Sequence, residues 1–214
     1  NALNACKAAY EGIEDNCDER GFVWSVCGWS GTQRYSVIWS GDQYGSFEYI
    51  RFHIPTFIGA GLSGFSLAAS DQGGIFGGSG FSYLRDLQWK TFIPVNYAMS
   101  GWAPSDKHPW NYGEAITDIN RRYLKLKMRL TPYMYTYCNM AHETGTPVVR
   151  AMVLEFPDDP VTLDKTTQYQ FMSGEWMLVA PVYTSQYERD SIYFPAGKWI
   201  DYWDGTVREG PAFL

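Results

Sequence analysis

The chain lacks most of the features that assign a sequence to a class at sight. No apolar run approaches the roughly 20 residues a membrane helix needs, and there is no internal repeat or low-complexity segment. Acids and bases are mixed along the chain at a net charge of −6, so no basic patch points to nucleic acid. The four cysteines, Cys6, Cys17, Cys27 and Cys138, show no CxxC or metal-ligand spacing and leave the redox compartment open. Histidine is scarce. His53, His108 and His142 share no ligand spacing and read as structural or surface residues, so no metal site is expected. No organic cofactor is implied either. The chain does not start with methionine and shows no signal-like pattern. It begins inside a helix-like stretch, which reads as a piece of a longer polypeptide. Compartment and oligomeric state stay open.

What the chain has is length and apolar mass. Its 214 residues suffice for one domain or one and a half, and at 45% hydrophobic they can build a core. Aromatic residues make up 17%, with Trp and Tyr spread along the whole chain. Such rings suit core packing, and they also suit a carbohydrate site, where flat sugar faces stack on them.

In chain order, residues 3–13 read as a helix with an apolar stripe, and Gly21–Cys27 as a buried strand. Gly28-Trp29-Ser30-Gly31-Thr32 is a loop, and Tyr35–Trp39 is a second strand rich in β-branched and aromatic residues. A helix is expected over Phe47–Phe57. A Gly-rich approach, Gly59–Leu67, then leads to a third strand and the turn Ala69-Ser70-Asp71-Gln72-Gly73-Gly74. A further helix is expected over about Ser82–Phe92. Residues 113–143 carry the longest helical pattern, broken where Thr131-Pro132 disfavours continuation. Thr146–Val153 reads as another strand. This alternation of strand and helix argues for a parallel sheet covered by helices, an α/β class. After about residue 175 the texture changes to short strands with turns between them: Trp176–Tyr183, Ser191–Phe194 and Lys198–Trp203. The expected division is therefore 1–174 for an α/β unit and 175–214 for the beginning of an all-β domain.

The chemistry centres on Trp39-Ser40-Gly41-Asp42. A strand that ends by aiming an acid from its C-terminal tip is how a (β/α)8 barrel presents catalytic groups. Turn chemistry alone also favours Gly and Asp there, as an ordinary solvated turn. Asp71 lies at a second strand end. Glycoside hydrolysis needs two carboxyl groups across one bond, one to protonate the leaving oxygen and one to attack carbon or activate water. By spacing, Asp42 and Asp71 could form such a pair; equally, Asp71 could cap a turn or bind a substrate hydroxyl. Trp102 reads as pocket lining or as core, and Asp158-Asp159 as a solvated loop.

The residues also carry a resemblance. Trp39-Ser40-Gly41-Asp42, Gly61-Leu62-Ser63-Gly64, Ser70–Gly74, Leu130–Tyr135, Thr146–Arg150, Glu155-Phe156-Pro157 and Leu178–Val182 occur in the order found in glycoside hydrolase family 31, the α-glucosidase and α-xylosidase family. They cover nearly the whole chain. The resemblance implies the C-terminal half of a (β/α)8 TIM barrel followed by the start of a β-sandwich, and a retaining α-glycosidase without metal or cofactor. It makes Asp42 look like the general acid/base. Asp71 looks like a contact to sugar hydroxyls, Trp39 like a wall of the same pocket, and Trp29 and Trp102 like further substrate-binding residues. The nucleophile, another Asp, is implied on an earlier barrel strand with no counterpart here. Gly28–Tyr35 and Ser100-Gly101-Trp102 look most like the α-transglucosylase-like branch.

One departure stands out. Many members carry an Arg just before this Gly-Trp, whereas here Val26-Cys27 precedes Gly28-Trp29. That puts the sugar in question and raises an α-N-acetylgalactosaminidase beside a glucosidase or transglucosylase. A carbohydrate-binding relative without catalysis is an alternative from another class. The partners implied are an oligosaccharide or glycoside and the rest of the same polypeptide, with no nucleic acid and no membrane.

Overall fold

A computed structural model describes all residues from 1 to 214. Helix α1 (Ala2–Asn16) leads to the short strand β1 (Trp24–Ser25). A 3-10 turn at Thr32–Arg34 leads to β2 (Val37–Trp39), followed by α2 (Phe47–Leu62) and β3 (Ala68–Ala69). These strands form a parallel sheet in the order β1-β2-β3, with Ser25 opposite Ile38 and Trp39 opposite Ala69. A parallel bridge from Asp71 to Tyr97, reached after α3 (Gly80–Lys90), extends the same order by one more chain segment. The arrangement is a sector of a parallel barrel, with its strands taken in sequence order.

Three expectations for this first part of the chain need correction. The strand expected over Gly21–Cys27 is only two residues long, and Phe22 and Val26 are exposed. Within residues 1–214 β1 pairs only with β2. The link from β1 to β2 carries a 3-10 turn rather than an α-helix, so strand and helix do not alternate strictly. The helix after Asp42 runs on to Leu62, through Gly59 and Gly61, because its buried face continues.

That face explains why α2 forms and where it sits. Ser46 caps the helix by accepting from the Tyr49 amide at 3.2 Å, and Ile50, Ile54, Phe57, Ile58 and Gly61 then fall on one buried side. Pro55 interrupts the ladder without ending the helix; it lacks the N–H that would satisfy the Arg51 carbonyl. Together with Trp89, Ile93, Val149, Ala151, Phe171 and Val179, this face makes the main apolar core. Each such side chain contributes roughly 1.5–3 kcal/mol on burial.

The long helical pattern resolves into α4 (Glu114–Arg129) and α5 (Thr131–Thr144), divided at the expected Thr-Pro, with Pro132 in the first turn of α5. Next come β4 (Val149–Arg150), α6 (Met152–Glu155), β5 (Phe171–Ser173) and β6 (Met177–Val179). β4, β5 and β6 form an antiparallel sheet, and the division expected at 174/175 falls between its hydrogen-bonded strands β5 and β6. The core already described joins this sheet to α2. Buried Arg150 braces the sheet by pairing with Glu155 and donating to the Pro147 carbonyl at 2.9 Å.

The last expected strands merge. Ser191–Phe194 and Lys198–Trp203 are not two strands with a turn between them. They lie largely in one strand, β7 (Tyr193–Ile200), paired antiparallel with β8 (Val207–Phe213). Between the Phe194–Ala212 and Gly197–Gly210 pairs a register shift sets Pro195 and Ala196 against Pro211, an irregularity within the strand.

No helix is long and apolar enough to cross a membrane. No group of three or more His, Cys, Asp and Glu side chains could hold a metal ion. All four cysteines are free.

Candidate active site

β2 ends at Trp39, and Ser40-Gly41-Asp42 turns the chain at the C-terminal edge of the parallel sheet. Gly41 sits at φ +96°, a left-handed conformation that side chains disfavour, and it leaves the Asp42 side chain exposed. The turn is anchored from beneath. Ser40 N–H donates to the Ala69 carbonyl of β3 at 3.0 Å. The Ser40 hydroxyl lies 2.6 Å from Nε2 of His53, whose Nδ1 lies 2.8 Å from the Tyr49 carbonyl. A carbonyl can only accept, so Nδ1 carries the proton and Nε2 accepts from Ser40. His53 is fully buried. Burial, followed by the nearby Lys90 charge, pushes its pKa down to about 3. The imidazole is therefore a neutral strut between α2 and the turn that carries Asp42.

The next strand end carries Asp71, only 1% exposed. Trp39 Nε1 donates to its Oδ2 at 2.9 Å, so neighbouring strands position the pair. Tyr49 and Lys90 fix its main chain: the Tyr49 hydroxyl and the Lys90 ammonium both donate to the Asp71 carbonyl, the latter at 2.8 Å. The Oδ1 atom of Asp71 is buried and has no protein partner. Such an oxygen calls for a donor. Across the parallel bridge the Tyr97 phenol is pushed far above its ordinary pKa, by burial first and then by the Asp71 charge.

The loops after β2 and β3 are joined. Tyr44 bridges Gly74, Gly45 bridges Gly78, and Gly45 N–H donates to the Gly77 carbonyl at 2.9 Å. A Cβ at Gly45 would overlap the Gly73 carbonyl, so only glycine permits this approach. Tyr44 and Phe76 pack across the same junction, with ring centroids 4.9 Å apart. Asp42 and Asp71 thus sit on two strand-end loops that behave as one unit.

The structure brings Trp39 and Asp71 into direct contact, with Asp42 on the adjoining turn. Trp29 and Trp102 stand apart, 78% and 69% exposed, and neither ring packs on another aromatic ring of this chain. Sequence reasoning missed Tyr49, Lys90, Asp86, Lys107 and Tyr97, and missed the bond from His53 to Ser40. The spacing of Asp86 and Lys90, four residues apart in a predicted helix, was the one available signal.

A parallel barrel sector with carboxylates on consecutive strand-end loops is the architecture of a barrel enzyme's active-site face. Residues 1–137 match the TIM-barrel domain of glycosyl hydrolases family 31, and residues 145–213 match the C-terminal domain of the same family. The chain belongs to glycosyl hydrolase family 31. It is 35% identical over 208 residues to alpha-glucosidase 2 of Bacillus thermoamyloliquefaciens, covering 95% of this chain and 26% of that protein. It is 31% identical over 216 residues to an alpha-xylosidase of Saccharolobus solfataricus, covering 97% of this chain and 29% of that protein. An isomaltosyltransferase of Sporosarcina globispora is 35% identical over 199 residues, covering 87% of this chain and 18% of that protein. The crystal structure of a family 31 alpha-xylosidase from a soil metagenome, complexed with xylose, superposes with a TM-score of 0.90 at 29% identity. That match covers 98% of this chain and 34% of the other. The chain therefore spans about a third or less of the length of these relatives. Its fold is part of a family 31 TIM barrel followed by a β-sheet C-terminal region.

Proposed function

We propose that this chain forms part of a retaining α-glycoside hydrolase acting on α-glucosides or related α-linked oligosaccharides. The observation that carries the reading is the exposed Asp42 on a turn tied to the Trp39–Asp71 pair. In this reading Asp42 protonates the leaving oxygen, then takes a proton from the incoming water or sugar hydroxyl. A sugar hydroxyl would admit transglycosylation, consistent with the named activity of the isomaltosyltransferase relative. The orphan Oδ1 of Asp71 accepts from a sugar hydroxyl, and Trp39 walls the pocket while holding Asp71 in place. Trp29 and Trp102 offer exposed rings to the sugars beyond. The nucleophile is a carboxylate outside residues 1–214. Asp42→Ala in the complete enzyme tests this. Hydrolysis of glycosides with poor leaving groups should fall by about 10²–10⁴-fold, and much less with an activated phenol. Near-wild-type rates on both would refute the assignment.

A second reading has its own observation. Val26, where relatives carry Arg nearby, is exposed and lies beside Gly41 in the acid/base turn. A small apolar side chain there suits the methyl of a C2 acetamido group, and the absent Arg gives up a charge-assisted bond worth about 1.5–3 kcal/mol. The enzyme would then be an α-N-acetylgalactosaminidase. The deciding comparison is kcat/KM for nitrophenyl α-glucoside against the α-N-acetylgalactosaminide. A preference for the glucoside that Val26→Arg leaves unchanged would eliminate this reading.

A further inference from the structure

The loop that carries Asp71 lies against one face of α3, and its ties to that helix run residue by residue. The Lys90 ammonium donates to the Asp71 carbonyl at 2.8 Å and reaches the Ser70 carbonyl at 3.5 Å. The Gln72 side-chain amide donates to the Tyr83 carbonyl at 2.8 Å. The Gly73 N–H donates to Asp86 Oδ2 at 2.8 Å. Tyr83, Asp86 and Lys90 are spaced three and four residues apart, so they share one side of the helix. Gly73, at φ +69°, approaches so closely that a Cβ there would lie 2.7 Å from the Tyr83 ring. Asp86 and Lys90 also bind each other at 2.7 Å. Their remaining contacts are to buried groups: the Trp89 indole donates to Asp86 Oδ1 at 2.9 Å, and Lys90 donates to the Tyr49 hydroxyl at 3.1 Å. A buried ion pair is by itself weak evidence for stability, because desolvation offsets the attraction. In this pair, however, each member gives a bond to the main chain of the same loop, at positions two residues apart. Neither side chain is more than 1% exposed, so neither touches a sugar.

We infer that Asp86 and Lys90 are positioning residues for Asp71: the pair grips the loop at the Asp71 carbonyl and the Gly73 amide, with Gln72 as a third tie, and so sets where the Asp71 carboxyl stands against the Trp39 indole and a bound sugar. Lys107 adds ties to the same loop through the carbonyls of Gln72, at 3.3 Å, and of Gly74. The inference rests on the reading of Asp71 as a sugar contact.

The test uses the complete enzyme, assayed with the faster of nitrophenyl α-glucoside and nitrophenyl α-N-acetylgalactosaminide. Replacing the pair by Asp86→Asn with Lys90→Met removes both charges together, so that neither is left buried alone. Positioning predicts a loss of about 10- to 100-fold in kcat/KM from a protein that circular dichroism shows to be folded. In an Asp71→Ala background the same replacement should cost no more than about twofold. A pair that only braces the fold would give equal losses in both backgrounds, or none in either, and each of those results would overturn the inference. The Trp39 indole N–H, assigned by its loss in Trp39→Phe, reports the place of Asp71 without turnover. Its resonance should move upfield in the charge-free variant as the bond to Asp71 Oδ2 lengthens, and an unmoved resonance would overturn the inference. If the charge-free variant does not fold, Gln72→Met carries the same two readouts, since it removes one tie and no charge. Asp71→Ala alone reads the sugar contact separately. Wild-type kcat/KM there would overturn that reading and this inference with it, whereas a loss there beside an unaffected charge-free variant would overturn the inference alone.

Discussion

Replacing His53 with leucine should change how stability depends on pH. In the folded chain the imidazole is fully buried, donates to the Tyr49 carbonyl and accepts from Ser40, and its pKa is pushed down to about 3. Unfolded, the ring returns to the ordinary histidine value near 6.5. A base with a depressed native pKa gives stability that is fully present above the unfolded value and is lost as pH falls towards the native one. Between those limits only the unfolded state binds the proton. At pH 7 the variant should be less stable by about 1–3 kcal/mol, through two lost hydrogen bonds near 1 kcal/mol each and a Ser40 hydroxyl left without its acceptor. Each pH unit below 6.5 then costs the wild type about 1.36 kcal/mol that the variant does not lose, or on the order of 3 kcal/mol by pH 4. The gap should close or invert. Urea unfolding of both proteins at pH 7 and pH 4 measures this, since titrations common to both cancel in the difference. A gap that stays constant with pH would show that His53 is not held neutral. Nitrogen chemical shifts of the ring give an independent check: they should stay those of the Nδ1–H tautomer from pH 8 to pH 4.

Trp39→Phe keeps a ring in the pocket but removes the donor 2.9 Å from Asp71 Oδ2. An unpaired buried charge of this kind costs about 1.5–3 kcal/mol, so kcat/KM should fall roughly 10- to 100-fold, and an unchanged value would contradict the coupling. Gly45→Ala places a methyl group against the Gly73 carbonyl. Thermal unfolding should report about 1–3 kcal/mol of lost stability, together with lost activity as the two strand-end loops separate, whereas a variant like the wild type would refute the close approach.

How far the sequence could be read depends on how local the cause was. The division between α4 and α5 was legible because Pro132 acts on its own neighbours. The end of α2 was not, because Gly59 and Gly61 read as loop, while Gly61 packs against Pro147 and Val149 and the main core holds that turn helical. β1 was overestimated because strand length depends on pairing with another segment, here only Trp24 and Ser25 against β2, which no local pattern reveals. The same rule divides the site. Asp42 and Asp71 end recognisable strands, and family order reinforces them. Asp86 and Lys90 are visible as a helical pair, although their burial is not. Lys107 reaches main-chain carbonyls 33 and 35 residues away, and a bond to a backbone leaves no mark in the residue pattern of its partner.

The assignment of Asp42 is tested most directly by the product that Asp42→Ala of the complete enzyme forms with azide and an activated α-glycoside. If Asp42 is the acid/base of a retaining mechanism, the first step survives on a good leaving group. The second step then lacks only its base, and azide needs none. The account predicts faster turnover with azide and a glycosyl azide of retained α configuration. A β-glycosyl azide, or no rescue from an enzyme that still binds substrate, would contradict it.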